Sequence, residues 1–93
     1  MVLYPSKSDY LGMAKPSPKH AGNEVLVDLG VAIRAARTEL GLSQEVLAAD
    51  AELDRSYVGG IERGEHNLSL INLQKIAKAL GTKPSILLKS AGS

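Results

Sequence analysis

The chain has no cysteine, no tryptophan and no phenylalanine, and its only aromatics are three tyrosines. Without cysteine there is no disulfide, no thiolate metal ligand and no thiol nucleophile, so packing alone must hold the fold, in keeping with a reducing compartment. With almost no large rings, the core has to be built from Leu, Ile, Val and Ala. No apolar run approaches the ~20 residues a membrane-spanning helix needs, and the first ten residues lack the apolar stretch of a secretory signal. At 93 residues one domain fits, whereas two would each be too small to bury a core unaided. These features point to a cytoplasmic protein with no membrane partner. A strong charge of one sign is also missing, the formal net charge being +1. Residues 1–22 carry Lys7, Lys15 and Lys19 against Asp9, and from Asn23 to Ser93 eight Lys and Arg face nine Asp and Glu. Bulk electrostatics cannot hold a polyanion here. Nucleic-acid binding would need basic groups gathered on one face, with specificity from placed side chains.

Three of the four prolines fall in residues 1–22, and Pro16-Ser17-Pro18 favours an extended path. This segment reads as a flexible arm: either a plain tail, or one that touches DNA or a partner chain through Lys15, Lys19 and His20. From Asn23 the text turns helical. Asn23 can cap a first helix in which Leu26, Leu29, Ile33, Ala36 and Leu40 recur at steps of three and four, and Gly41 closes it. Ser43 caps a second over Gln44 to Asp50, with Val46 and Leu47 inward. Asp54 caps a third over Arg55 to Arg63, with Tyr57, Val58 and Ile61 inward, ended by Gly64. Ser69 opens a fourth whose inner stripe is Leu70, Leu73, Ile76, Ala77 and Leu80, closed by Gly81. Pro84 suits the first turn of a fifth, running through Ser85, Ile86, Leu87, Leu88 and Lys89. No β-type alternation occurs, so the class is all-α: a compact five-helix bundle over residues 23–93. Gly59 and Gly60 lie inside the third helix, where together they cost ~2 kcal/mol relative to alanine. A close approach of another backbone, or a tolerated defect, are the two readings of that pair.

The second and third helices are separated by Ala51, Glu52 and Leu53 alone, so they must cross steeply, and small Ala48 sits where they touch. The words GLSQEVLA (Gly41 to Ala48), LDRSYVGGIERG (Leu53 to Gly64) and SLINLQKIAKALG (Ser69 to Gly81) agree at Gln44, Leu47, Ala48, Val58, Ile61, Glu62 and Gly64. Over about Leu29 to Lys89 the chain thus resembles the helix-turn-helix proteins of the Cro and phage-repressor family, a lambda-repressor-like fold. That resemblance implies a sequence-specific DNA-binding transcriptional regulator with double-stranded DNA as its partner. The third helix would lie in the major groove with Arg55, Ser56, Gly59 and Gly60 toward the bases. Arg55 is the best reader, its fork matching guanine O6 and N7. Ser43 and Gln44 at the start of the second helix would hold phosphate. Tyr57 is either a core-edge ring or a phosphate contact. Arg63, His66 and Asn67 after the recognition helix could meet phosphates too, His66 being otherwise a solvated loop residue. Arg37 and Glu62 match positions that form a structural ion pair between the first and third helices, and Arg34 reads as a solvated face residue. Glu52 stands where the family's turn carries glycine. A left-handed glutamate costs about 1 kcal/mol, which leaves the shape of that turn and the tilt of the recognition helix open. Glu45, Asp50, Glu52 and Asp54 around the motif would repel phosphate unless they point away.

Proteins of this type bind as two-fold dimers, recognition helices ~34 Å apart on a palindromic operator. Ile86, Leu87 and Leu88 are three consecutive apolar residues, of which only some can face the protomer's own core, so the remainder is a candidate dimer interface. The LDRSYVGGIERG segment looks like that of restriction–modification controller proteins, which activate and repress their own operons. The alternative is an antitoxin-type autorepressor, gripping a protein partner with the arm or the last helix. A pure interaction module leaves Arg55 and Ser56 without a purpose. An enzyme is rejected: no paired carboxylates, Ser/His/Asp set or phosphate-cradling loop is visible, no second ligand stands at metal spacing from His66, and no cofactor or small-molecule ligand is expected.

Overall fold

Asn23 starts the first helix by accepting the amides of Val25 at 3.0 Å and Leu26 at 3.4 Å on its side-chain oxygen. The computed structural model describes residues 23–92, so the expected arm over residues 1–22, with Lys15, Lys19 and His20, lies outside the described residues. Five helices follow in order: α1 (Glu24–Glu39), α2 (Gln44–Ala51), α3 (Arg55–Glu62), α4 (Leu70–Ala79) and α5 (Pro84–Ser90). No strand occurs among the described residues. Ser43 and Ser69 cap α2 and α4 by accepting the amides of Val46 and Asn72, each at 3.1 Å. Proline opens α5, where its missing N–H is no loss. Asp54 occupies the N-cap position of α3 but, against expectation, its carboxylate accepts no hydrogen bond from the helix.

Four helix ends share one device. The amide that follows a left-handed residue reaches back five residues to a carbonyl in the last turn, as in Leu42 to Arg37 at 3.1 Å and Thr82 to Ala77 at 2.9 Å. This ending needs a left-handed residue, supplied by Gly41, Gly64 and Gly81. After α2 the same bonds form from Leu53 to Ala48 at 2.8 Å and from Glu52 to Ala49 at 3.1 Å, with Glu52 itself left-handed at φ 58°.

α1 packs on α3 and α5, α2 on α3 and α4, and α4 on α5. Between them lies a single aliphatic core around Ile33, Leu47, Val58 and Ile76, completed by Leu29, Ile61, Leu73, Leu80 and Leu87. Ala48, Ala51 and Ala77 keep the helix crossings close. The inner stripes are narrower than the spacing predicts: Leu40, Val46 and Leu70 are exposed. Val46 and Leu70 sit in the first turns of their helices and Leu40 caps the end of α1, where a residue at core spacing already overhangs the bundle's edge. A glycine outside the expected interior pair also proves essential. Gly30, in the middle of α1, faces α3 so closely that a Cβ would lie 2.5 Å from the Ile61 carbonyl oxygen and 2.6 Å from that of Glu62. Gly30 sets the distance at which α1 supports α3.

Candidate nucleic-acid interface

The geometry of α3 is fixed first by the turn before it. Glu52 adopts the left-handed conformation that glycine takes at the other helix ends, so the α2–α3 turn keeps the glycine shape despite the glutamate. The open question of the turn is thereby answered, at a strain of about 1 kcal/mol.

The far end of α3 is pinned by charge. Arg37 of α1 meets Glu62 with both arms of its fork, Nε to Oε2 at 2.6 Å and Nη2 to Oε1 at 3.0 Å. Its third nitrogen donates to the Leu42 carbonyl at 2.8 Å. The side chains of Arg37 and Glu62 are 11% and 3% exposed, so both charges are withdrawn from solvent yet fully partnered. The Glu62 hydrogen bond raises the Arg37 pKa above the ordinary arginine value, against the opposing pull of desolvation. Gln44 joins the same cluster, its amide nitrogen donating to Glu62 Oε1 at 2.9 Å. One carboxylate thus gathers α1, the turn after it, α2 and α3. Since a carboxylate only accepts, the Gln44 carbonyl oxygen is turned away from it, toward Gly59.

At the opposite end of α3, Arg55 and Ser56 are exposed and make no side-chain hydrogen bond within the described residues. Gly59 and Gly60, expected toward the bases, are both buried within the protein's own side chains. A Cβ at Gly59 would stand 3.3 Å from an Arg63 guanidinium nitrogen and 3.4 Å from the Gln44 oxygen. At Gly60 it would overlap the His66 imidazole. Side chains from outside the helix fill the space that these two glycines vacate. His66 is exposed but not free in solvent: its ring centroid lies 5.0 Å from that of Tyr57, at an interplanar angle of 44°. Tyr57 is half-buried against the core, and its hydroxyl accepts from Asn72 of α4 at 3.0 Å, leaving the phenolic proton free to donate. Arg63 is exposed and forked onto Glu65, Nε to Oε2 at 2.8 Å. That hydrogen bond raises the Arg63 pKa and holds the Glu65 carboxyl below its ordinary value. Ser43 and Asn67 are exposed at the rim, the former using its oxygen as a cap and keeping its hydroxyl proton. Glu45, Asp50, Glu52 and Asp54 are all exposed. Sequence reasoning missed Asn72 and Glu65, which tie down Tyr57 and Arg63. Neither carries a pattern signal, because each acts on a neighbour and not on the core.

Of the three apolar residues expected at a subunit interface, Leu87 belongs to the core at 2% exposure and Leu88 packs against it, while Ile86 is 51% exposed. One turn of helix can present only one of three successive residues outward. Ile86 borders a groove of about 740 Å³ between α1 and α5, which Val31, Ala35 and Leu40 also line. Among the described residues no group of His, Asp and Glu could hold a metal ion, and no helix is long and apolar enough to cross a membrane.

An α2–α3 pair packed together across a three-residue turn, with an exposed α3 N-terminus and a buried ion pair locking α3 to α1, defines a helix-turn-helix domain. The helix-turn-helix family model matches residues 33–87, more than half of the chain, and the chain belongs to that family of DNA-binding transcriptional regulators. It is 43% identical over 67 residues to the control protein C.BamHI of Bacillus amyloliquefaciens, covering 71% of this chain and 83% of that one. The restriction-modification controller protein C.AhdI from Aeromonas hydrophila superposes with a TM-score of 0.66 at 55% identity, covering 67% of this chain and 94% of that chain. The clp gene regulator ClgR from C. glutamicum gives a TM-score of 0.70 at 28% identity, over 73% of this chain and 88% of its own.

Proposed function

We propose that this chain is a controller-type regulator that binds a palindromic operator as a homodimer and acts on its own operon. The observation that carries the reading is the exposed pair Arg55 and Ser56 at the start of a helix whose other end is locked in place. A helix held this way can present a guanidinium fork to a base edge without losing register, and register is what base readout needs. Arg55 reads guanine, and Ser56 reaches a base or a phosphate. Gly59 and Gly60 make room on the helix for the Gln44 and Arg63 side chains and the His66 ring, which face the duplex in their place. Ser43, Tyr57, Asn67 and His66 supply donors around the rim, and Arg63 adds charge once Glu65 is turned aside. Gln44 meets the phosphate only through the edge of its amide that Glu62 does not hold. The kinship with controller proteins supports autoregulation, and exposed Ile86 supports a second copy on the α1–α5 side.

The test is titration of the duplex immediately upstream of the chain's own gene, beside an unrelated duplex of equal length, at two salt concentrations. Selective, cooperative binding with a dimer-sized footprint is expected. Arg55→Ala weakens it by about 1–3 kcal/mol, roughly 5- to 150-fold, with the fold unchanged by circular dichroism. Equal, weak binding to both duplexes that modest salt erases would overturn the reading.

A further inference from the structure

On α3, Gly60 continues the outer row formed by Ser56, four residues earlier, and Arg63, three residues later. Those two are exposed, whereas Gly60 is buried, because the His66 ring lies over it. The turn after the helix holds the ring there: the Glu65 amide donates back to the Gly60 carbonyl at 2.9 Å, and Tyr57 flanks the imidazole. The recognition helix therefore has no side chain of its own at this register. The turn lends it an imidazole, which is itself exposed on the same face as Ser56 and Arg63.

We propose that His66 is a DNA-contacting residue of the recognition face, its imidazolium donating to an acceptor on the duplex, so that the complex takes up a proton as it forms. This rests on the DNA-binding reading above. Phosphate oxygens and the major-groove edges of guanine (N7 and O6) are all acceptors, and imidazolium offers them two donors where the neutral ring offers one. The titratable groups facing the ring are Tyr57 from α3 and, in the turn, Glu65 and Arg63, which are opposite in sign and bonded to each other. α4 contributes neutral Asn72, through the Tyr57 hydroxyl. A duplex brought against this face adds negative charge, which favours the charged ring. A group whose pKa is raised in the complex adds affinity that is fully present below its free-protein pKa. That affinity is lost as pH rises through the bound-state value. Histidine titrates in the window where such a loss is measurable.

The experiment uses the full chain and the duplex upstream of its own gene, with affinities measured at about pH 6 and about pH 8. Wild type, His66→Ala, His66→Arg and Gly60→Ala are compared, each checked for folding by thermal melting. Wild type is expected to bind several-fold more weakly at the higher pH, the sign that uptake of one proton on binding requires. His66→Ala should bind at both pH values as wild type does at the higher one, and His66→Arg should hold strong binding at both. Gly60→Ala, which evicts the ring, should behave as His66→Ala does. His66 lies in an exposed turn, so its replacements keep the test alive if Gly60→Ala unfolds. A panel of single base-pair changes separates the two acceptors. Uniform weakening in His66→Ala places the contact on phosphate, and lost discrimination at one position places it on a base; either supports the proposal. The same pH slope in wild type and His66→Ala overturns it while leaving the DNA-binding reading standing. Failure of wild type to select the duplex at either pH overturns both.

Discussion

Arg37 is among the eight cations of the folded part, but it serves the protein and not a polyanion. Its fork is filled by Glu62 and Leu42, and the raised pKa keeps it charged until the pH exceeds the ordinary arginine range, so no stability is lost there under working conditions. Arg37→Met leaves the Glu62 carboxylate buried with Gln44 as its remaining partner, a loss of about 3–5 kcal/mol. Arg37→Met combined with Glu62→Leu removes both charges and should recover most of that loss. Urea denaturation of the two single and the double variants measures this directly. Additive losses would show that the pair is less coupled than its geometry implies. The pairing of Arg37 with Glu62 was legible in the sequence, since both occupy positions that the resemblance assigns to an ion pair. Gln44 was not legible in the same way. A glutamine at a helix start signals an anion clamp, and only the fold reveals that a carboxylate already holds its amide nitrogen.

Elements followed from the sequence wherever a chemical signal sits at an end. Asn23, Ser43 and Ser69 begin their helices and Gly41, Gly64 and Gly81 finish theirs, because a cap needs a side-chain acceptor and a closing turn needs a left-handed residue. Depth was harder to read. Val46 and Leu70 have core spacing yet point to solvent, and Gly30 looks like any helix glycine until α3 is laid across it. Periodicity reports a face, whereas burial depends on what lies opposite. The turn at Glu52 is where local preference and fold disagree. Glu52→Gly removes the left-handed strain of about 1 kcal/mol or more, while the freer unfolded chain takes back part of it. A net gain of about 0.5 kcal/mol is expected, raising the melting temperature by about 2–4 °C. The α2–α3 turn keeps its shape, so operator affinity should stay within about twofold. A drop in melting temperature would mean that the Glu52 side chain contributes more than its backbone strain takes away.

For the whole molecule the decisive quantity is how many copies meet the duplex. The residues from Asn23 onward carry no net positive charge, so a single protomer lacks the electrostatic grip for tight binding, and in the function proposed above selectivity comes from two α3 helices on one operator. The structure separates what each apolar residue of α5 can contribute. Ile86 is half exposed beside the α1–α5 groove, whereas Leu87 is sealed in the core. Ile86→Asp should therefore leave the protomer folded, with an unchanged circular dichroism spectrum, and abolish the dimer in sedimentation equilibrium. Without the tether between half-sites, operator affinity should fall by about 10²–10⁴-fold and the cooperativity should vanish. Leu87→Asp places an unpaired charge among Leu29, Ile33 and Leu80 and should prevent folding altogether. If Ile86→Asp remains a dimer with full affinity, the second copy sits elsewhere than on the α1–α5 face. If it unfolds as Leu87→Asp does, Ile86 supports the protomer more than its exposure indicates, and a milder Ile86→Ser becomes the variant that weighs assembly against stability.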